Sequence, residues 1–308
     1  MLIRVGTRES LLAMWQTNWV VEQIKEAQPG IKVEVIKIKT KGDKILDTAL
    51  SKIGDKGLFT KELELAMLRD EIDIAVHSMK DMPTKLPEGL AIGSICKREH
   101  PGDVLISKTG KKIKELEKGA RLGTSSLRRR AQLMRYRSDL NIASIRGNLN
   151  TRIEKLKSDD YDAIIVAAAG VIRLGYKDMI TEYIPPQICL PAVGQGAVGI
   201  EVREDDKKII DIARKIEHRD TTLAVLAERA LLKSLEGGCQ VPIGAFGVAV
   251  QDMLRLEAAV LSIDGKDIAR ANYTGSSKDP EETGVRLAEE LLDKGAGEIL
   301  SEIKGDIH

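Results

Sequence analysis

Short apolar runs alternate with longer amphipathic stretches through roughly the first two-thirds of the chain, and that alternation leaves few folds open. Residues 2–5, 31–39, 72–76, 92–95, 103–107, 121–123, 141–145 and 163–166 read as strands. Residues 10–27, 59–69, 113–117, 150–157, 167–174, 205–215 and 221–235 read as helices. Strands and helices in this order predict parallel, doubly wound sheets. Past residue 244 the pattern changes. Three runs, 245–250, 254–263 and 267–274, are joined by Gln251-Asp252-Met253 and Asp264-Gly265-Lys266, and Asp-Gly is a strong hairpin signal. Asp279-Pro280-Glu281-Glu282 then opens a helix, with an Asp cap, a proline at the first position and Glu at the third. A small antiparallel α+β domain therefore closes the chain, and 308 residues suffice for two or three domains with buried cores.

Charge excludes several function classes. A net charge of +1 gives no global field toward nucleic acid or an anionic membrane. Five arginines fall between Arg128 and Arg137, but aromatic residues make up only 3% of the chain, which argues against a nucleic-acid groove. The chain begins in a strand, with no signal-like segment, and no run approaches a membrane span. Cys96, Cys189 and Cys239 are widely spaced, and His77, His100, His218 and His308 form no HExxH-like pair. Neither a disulfide framework nor a metal site is signalled. The expectation is a reduced cytoplasmic protein without metal.

Polar residues gather where strands end, which is where open α/β folds bind ligands. Arg8 follows the first strand, beside a helix that Ser10 caps, and a helix N-terminus welcomes anions. The strand at 72–76 runs into His77-Ser78-Met79-Lys80-Asp81. Lys80 and Asp81 read either as a surface ion pair or as a site, and His77 reads as a packed, hydrogen-bonded histidine. Gly123-Thr124-Ser125-Ser126-Leu127-Arg128-Arg129-Arg130 turns into a helix whose hydroxyls and guanidinium groups suit a carboxylate or phosphate. Successive helical residues cannot all face one way, so Arg128 and Arg129 are expected inward and Arg130 outward. Arg146-Gly147-Asn148, Arg152 and Arg173 repeat the theme on later βα units, and Gln195 sits in a glycine-rich turn. That turn lacks a full GxGxxG, and its strand follows the glycines rather than preceding them, which argues against a dinucleotide site. The stretch 40–57, rich in Lys, Asp and Gly, is long enough to serve as a lid, with Lys56 and Phe59 near its end.

One thiol stands apart. Glu236-Gly237-Gly238-Cys239-Gln240-Val241-Pro242 joins a helix to a strand, and the paired glycines leave the sulfur approachable. Read locally, Cys239 is either a small buried hydrophobe or a reactive attachment point.

The segments RVGTRES, AVHSMKDMP, LGTSSLRRR, IRGN, LPAVGQGAVGIE and LEGGCQVPIG, in this order from about Arg4 to Gly244, resemble the signature segments of the porphobilinogen deaminase (hydroxymethylbilane synthase) family. The resemblance weakens over the last part of the chain. It implies a transferase that condenses four porphobilinogen molecules head to tail, with loss of ammonia, into linear hydroxymethylbilane for haem and tetrapyrrole synthesis. The primer would be a dipyrromethane cofactor joined to Cys239 by a thioether. Asp81 and Lys80 would be the catalytic pair: Asp81 the carboxylate that stabilises the azafulvenium cation left by ammonia, and Lys80 the group that holds cofactor carboxylate beside it, with an acid role in ammonia departure as its second part. Cofactor binding would fall to Ser78, Lys80, Thr124, Ser126, Arg128, Arg129, Arg146, Asn148 and Gln195. Substrate binding would fall to Arg8, Ser10, Arg146, Arg152 and Arg173. Lys56 and Phe59 would belong to a lid. The implied fold is α/β with three domains: 1–98 with 195–216, and 99–194, each like half of a periplasmic-type binding protein and flanking a cleft, and 217–308, a small α+β domain with a three-stranded antiparallel sheet. A monomer is implied.

Two departures stand out. Leu11 replaces a proline common in the family, and Glu9 adds a carboxylate expected to neutralise Arg8 in part. The rival from another class is a non-catalytic two-domain module that binds a small polycarboxylate. It explains the arginines and leaves Cys239 without a role.

Overall fold

The computed structural model describes residues 1–44, 57–157, 160–235 and 241–307. The chain begins with β1 (Leu2–Thr7), α1 (Leu11–Ala27), β2 (Lys32–Lys37), α2 (Lys41–Lys44), α3 (Lys61–Leu68), β3 (Ile74–Ser78) and β4 (Leu90–Ile95). Next come β5 (Asp103–Ser107), β6 (Arg121–Gly123), α4 (Leu127–Tyr136), β7 (Asn141–Ala143), α5 (Leu149–Lys157), β8 (Ala163–Ala167), α6 (Ala168–Arg173) and β9 (Glu182–Ile184). The last third holds β10 (Val198–Arg203), α7 (Lys207–Arg214), α8 (Arg219–Ser234), β11 (Ile243–Val250), β12 (Met253–Leu261), β13 (Ile268–Ser276), α9 (Pro280–Asp293) and α10 (Ala296–Ile307). Two compact units result: Met1–Glu99 with Ala197–Thr222, and His100–Gly196 with Leu223–His308.

The first unit is built on a five-stranded sheet in the order β2-β1-β3-β10-β4. Alternation along each strand sends residues to opposite faces. Ile3, Val5, Ile74, Val76, Ile200 and Val202 meet Val20 and Ile24 of α1 and Ile209 and Ile212 of α7 on one face. Ala75 and Leu90 meet Leu63, Ala66 and Met67 of α3 on the other. Fully burying a large apolar side chain of this kind contributes about 1.5–3 kcal/mol. Helices start where their caps stand. Ser10 Oγ accepts the Ala13 N–H at 3.3 Å, and Asp206 Oδ1 accepts that of Ile209 at 3.1 Å.

The second unit contains a sheet in the order β7-β6-β8-β5-β9 and the three-stranded sheet β11-β12-β13. Both five-stranded sheets follow one plan, doubly wound as expected, but neither is wholly parallel. β1, β2 and β3 run parallel, whereas β10 is antiparallel to both β3 and β4. In the second sheet β5 is likewise antiparallel to β8 and β9. The parallel pairing that the alternation of strands and helices implied holds for β1, β2 and β3 and for β6, β7 and β8, and fails for β10 and β5. β10 re-enters after a long excursion and β5 precedes its neighbours, so neither is reached through a strand–helix–strand crossover that would force a parallel sense.

The three-stranded sheet is the antiparallel meander expected, and Asp279 caps α9 by accepting the Glu282 N–H at 3.0 Å. Its core joins Leu254, Leu256 and Val260 to Ala227 and Leu231 of α8, Leu287 and Leu291 of α9, and Ile299 and Ile303 of α10. β9 and α10 are elements that the sequence reading did not reach. β9 is only three residues long, too short to show a period. Among the described residues no helix is long and apolar enough to cross a membrane.

Candidate active site

In the first unit, β3 ends at Ser78 and the chain enters a 3-10 turn, Met79–Asp81. Met79 is buried and its N–H donates to Ala197 O at 3.0 Å, which pins the turn to the strand that follows the Gly194–Gly196 stretch. Lys80 and Asp81 remain half-buried on that pinned turn. Gln16 of α1 donates through Nε2 to Ser78 Oγ at 2.9 Å. One residue earlier, His77 Nε2 lies 2.9 Å from Glu201 Oε2 of β10, with both side chains buried. No group of His, Cys, Asp and Glu among the described residues is arranged to hold a metal. His77 is the packed, hydrogen-bonded histidine its sequence context suggested. Glu64 of α3 is also buried there. Burial above all, with a further push from the charge of Glu201, raises its carboxyl above the ordinary value.

Arg8 is half-buried between β1 and α1, its guanidinium 4.2 Å from the centre of the Phe59 ring. Such a cation–π contact is worth about 0.5–2 kcal/mol and holds the guanidinium plane still. Glu9, the next residue, lies 3.8 Å from Lys39. Ser10 accepts an N–H as a helix cap, which leaves its own O–H proton able to donate.

The second unit gathers its candidates around Asp103, the first residue of β5, which is completely buried. Arg128 Nη1 donates to Asp103 Oδ2 and Arg129 Nη2 to Asp103 Oδ1, both at 2.7 Å. Gln195 Nε2 donates to Oδ1 at 2.9 Å, and also to Pro101 O at 2.7 Å. Arg128 further donates to Leu190 O at 2.6 Å, and Arg129 to Ile165 O at 3.1 Å. Burial alone would push the Asp103 carboxyl up. The charges and hydrogen bonds of Arg128 and Arg129 outweigh it and hold the carboxyl well below the usual carboxylate range. Both arginines are buried and Arg130 is exposed, as helix geometry required.

The turn ahead of α4 uses its hydroxyls for capping. Thr124 Oγ1 accepts the Ser126 N–H at 3.2 Å, and Ser126 Oγ accepts that of Arg129 at 3.4 Å. Arg146 is half-buried and Asn148 exposed on either side of Gly147, whose carbonyl accepts from Arg152 Nε at 2.8 Å. Arg173, at the end of α6, is buried and donates to Gly196 O at 2.8 Å. Arg152 carries the clearest electrostatic signature. Burial, and then the nearby charge of Arg129, bring its guanidinium down to about 10.

Two guanidinium groups thus share one carboxylate, a third stands close enough to feel Arg129, and Arg129 Nε is buried with no hydrogen-bond partner among the described residues. A surplus of positive charge away from water, with an unsatisfied N–H, is what an anionic group bearing several carboxylates fits. The residues present therefore suit a polycarboxylate such as a dipyrromethane.

Cys239 and Lys56 lie outside the described residues. Cys96 and Cys189 are buried, and burial pushes the Cys189 thiol up to about 12, so it is an inert thiol. Sequence reasoning missed Asp103, read only as a strand start, and the buried carboxylates Glu201 and Glu228. A signal for the last two was present: Glu201 is a lone acid in the apolar run 197–202, and Glu228, with Arg229 beside it, interrupts the apolar stretch 223–232.

Residues 3–211 match the family model described as porphobilinogen deaminase, dipyromethane cofactor binding domain, and residues 222–293 match porphobilinogen deaminase, C-terminal domain. The chain is 59% identical over 298 residues to the porphobilinogen deaminase of Pelotomaculum thermopropionicum, covering 97% of this chain and 96% of that protein. It is 57% identical over 302 residues to that of Desulforamulus reducens (98% of each), and 52% identical over 307 residues to that of Bacillus subtilis (99% and 97%).

Proposed function

The chain belongs to the porphobilinogen deaminase family, and from that membership we propose the parts its own residues play. It is a transferase that joins four porphobilinogen molecules head to tail into hydroxymethylbilane, with loss of ammonia, in tetrapyrrole and haem biosynthesis. When bound, the dipyrromethane cofactor supplies an electron-rich pyrrole terminus from which the product grows. Cys239 is its thioether anchor in this reading.

Asp81 carries the chemistry. As the C–N bond of the substrate breaks and its electron pair leaves with ammonia, positive charge spreads over the pyrrole. The half-buried carboxylate on the pinned turn accepts the pyrrole N–H and offsets that charge where it develops. A preorganised group of this kind is worth roughly 3–4 kcal/mol, two to three decades in rate. Lys80 holds a carboxylate beside it.

The arginines carry the binding. Every ring brings two carboxylates, and desolvated carboxylates need counter-charge. Arg128 and Arg129 with Gln195 hold the cofactor, with Thr124, Ser126, Asn148 and Ser78 donating from turns. Arg8 and Ser10 in the first unit and Arg146, Arg152 and Arg173 in the second hold the substrate, and Lys56 and Phe59 belong to a lid. This reading treats 1–98 with 195–216, 99–194 and 217–308 as three working parts. The observation that carries it is the excess, among the described residues, of guanidinium over carboxylate around Asp103.

Intact-protein mass spectrometry of freshly purified, active protein tests the reading. The expected result is a two-pyrrole mass increment mapped to Cys239. An unmodified mass in protein that turns over porphobilinogen sinks the mechanism. A module that only binds polycarboxylates would show neither increment nor ammonia release. Light scattering after gel filtration tests the proposed monomer, and fractionation of cells tests the proposed cytoplasmic location.

A further inference from the structure

Glu228 is completely buried in the middle of α8, and the mechanism above assigns it nothing. Its carboxylate grips two backbone N–H groups on two other segments. Oε2 accepts from Gly194 at 2.7 Å, and Oε1 accepts from Gly247 of β11 at 2.8 Å. A carboxylate that receives two short N–H bonds in a dry interior is a strong, directional clamp. Both donors are glycines for a visible reason. A Cβ on Gly247 would stand 3.0 Å from Ala224 O and 3.2 Å from Ala224 Cα, one turn before Glu228 on the same helix. β11 therefore touches α8 backbone to backbone. Gly194 has φ +68, the left-handed region that only glycine enters freely.

What the clamp joins gives it significance. Gly194 precedes Gln195, whose amide anchors Asp103 and with it Arg128 and Arg129. In sequence, the segment 236–240, which contains Cys239, follows α8 and precedes β11. The rest of the strap around Gly194 is staked as well. Gln132 Oε1 accepts the Leu190 N–H at 2.8 Å, and the Ala245 N–H of β11 donates to Pro191 O at 2.9 Å. Glu228 is a single side chain that holds the Gln195 turn and the strand after the thiol segment at once.

We propose that Glu228 is a positioning residue for the polymerisation: by tying Gly194 and Gly247 to α8, it sets where the tethered chain stands relative to the Arg128–Arg129 cluster. This rests on the reading of Cys239 as the tether. Glu228 acts through these two backbone groups rather than on substrate or cofactor, so its loss misplaces the growing end without weakening capture of free porphobilinogen. A misplacement of about 1 Å far from the chemistry can lower a rate by about 10²-fold.

Glu228→Gln keeps the side-chain shape but replaces one acceptor oxygen with an NH₂ that faces an N–H. The full-length holoprotein is compared with wild type at a temperature well below unfolding, with kcat expressed per adduct-bearing molecule. The expected result is a kcat lower by about 10- to 100-fold with KM within about twofold, together with faster amide exchange at Gly194 and Gly247. Gly247→Ala leaves the carboxylate in place and lifts β11 off α8 by a few tenths of an ångström. It should give the same kcat-only signature, reduced to about three- to tenfold, and it serves if Glu228→Gln does not fold. A lowered melting temperature with wild-type kcat in either folded variant makes the clamp merely structural and overturns the proposal. Wild-type protein assayed alongside separates the two claims: absence of its adduct sinks the tether, whereas an intact wild type with unimpaired variants sinks only the role of Glu228.

Discussion

Replacing Asp103 by asparagine removes the carboxylate shared by Arg128 and Arg129 while leaving its shape in place. The wild-type group is completely buried and accepts from both guanidiniums at 2.7 Å and from Gln195 at 2.9 Å. The substituted amide would keep one acceptor oxygen and present an NH₂ to a guanidinium N–H, so two buried cations lose their counter-ion. Removing one partner of such a cluster costs about 3–5 kcal/mol. In a unit of this size each kcal/mol moves the melting temperature by about 2–4 °C, which gives a drop of about 6–20 °C. The pH dependence checks the cause. A carboxyl held below its ordinary value of 3.8 contributes stability that is complete above that value and is lost as pH falls through the depressed one. The gap between wild type and Asp103→Asn should therefore be flat from neutrality to about pH 4 and close only in stronger acid. Thermal melts across that range, with and without added phosphate, supply the data. Phosphate should stabilise the variant more than wild type, because it replaces the missing charge. A shift of under about 2 °C, or a gap that closes near neutrality, would refute the assignment of Asp103 as the counter-ion of the cluster.

Asp81→Ala should retain the adduct, or accept it on loading, while kcat falls by about two to three decades; wild-type turnover would remove Asp81 from the mechanism. Arg152, brought down to about 10, should make substrate capture pH-dependent. KM for porphobilinogen should climb as pH rises through that value and the charge is lost, and Arg152→Met should raise KM at neutral pH and leave only the climb that comes from the substrate's own ammonium group. For this group alone, the folded state sheds its proton before the unfolded chain does, so stability rises with pH in the same window. A KM unaffected by pH there counts against Arg152 as a substrate ligand. A Cβ on Gly199 would stand 2.2 Å from Met79 Sδ, directly under the turn of Lys80 and Asp81. Gly199→Ala should cost about 1–3 kcal/mol by overpacking and lower kcat more than it raises KM; a variant with unchanged kcat would show that the turn tolerates the displacement.

Much of the site was legible because its residues stand at turns whose local grammar is short-ranged. Ser10, Ser126 and Asp279 cap the helices that their positions announced, and His77, Arg128 and Arg129 point inward as their neighbours on strand and helix required. The charge partners were not legible. Glu9 sits with Lys39, and Asp103 collects Arg128, Arg129 and Gln195 from 25, 26 and 92 residues away. No window of sequence reports a pairing of that range.

By itself the sequence determined the order of most strands and helices, the doubly wound plan and the closing meander, since caps, turn residues and hydrophobic period act over a few residues at a time. Only the tertiary structure decided that β5 and β10 run against their neighbours and that two buried guanidiniums share one carboxylate with a third nearby. It also decided that Glu228 ties a turn and a strand to one helix. The reason is desolvation: a buried charge must find its counter-charge or donors wherever the folded chain brings them, and that choice is made in space and not along the sequence.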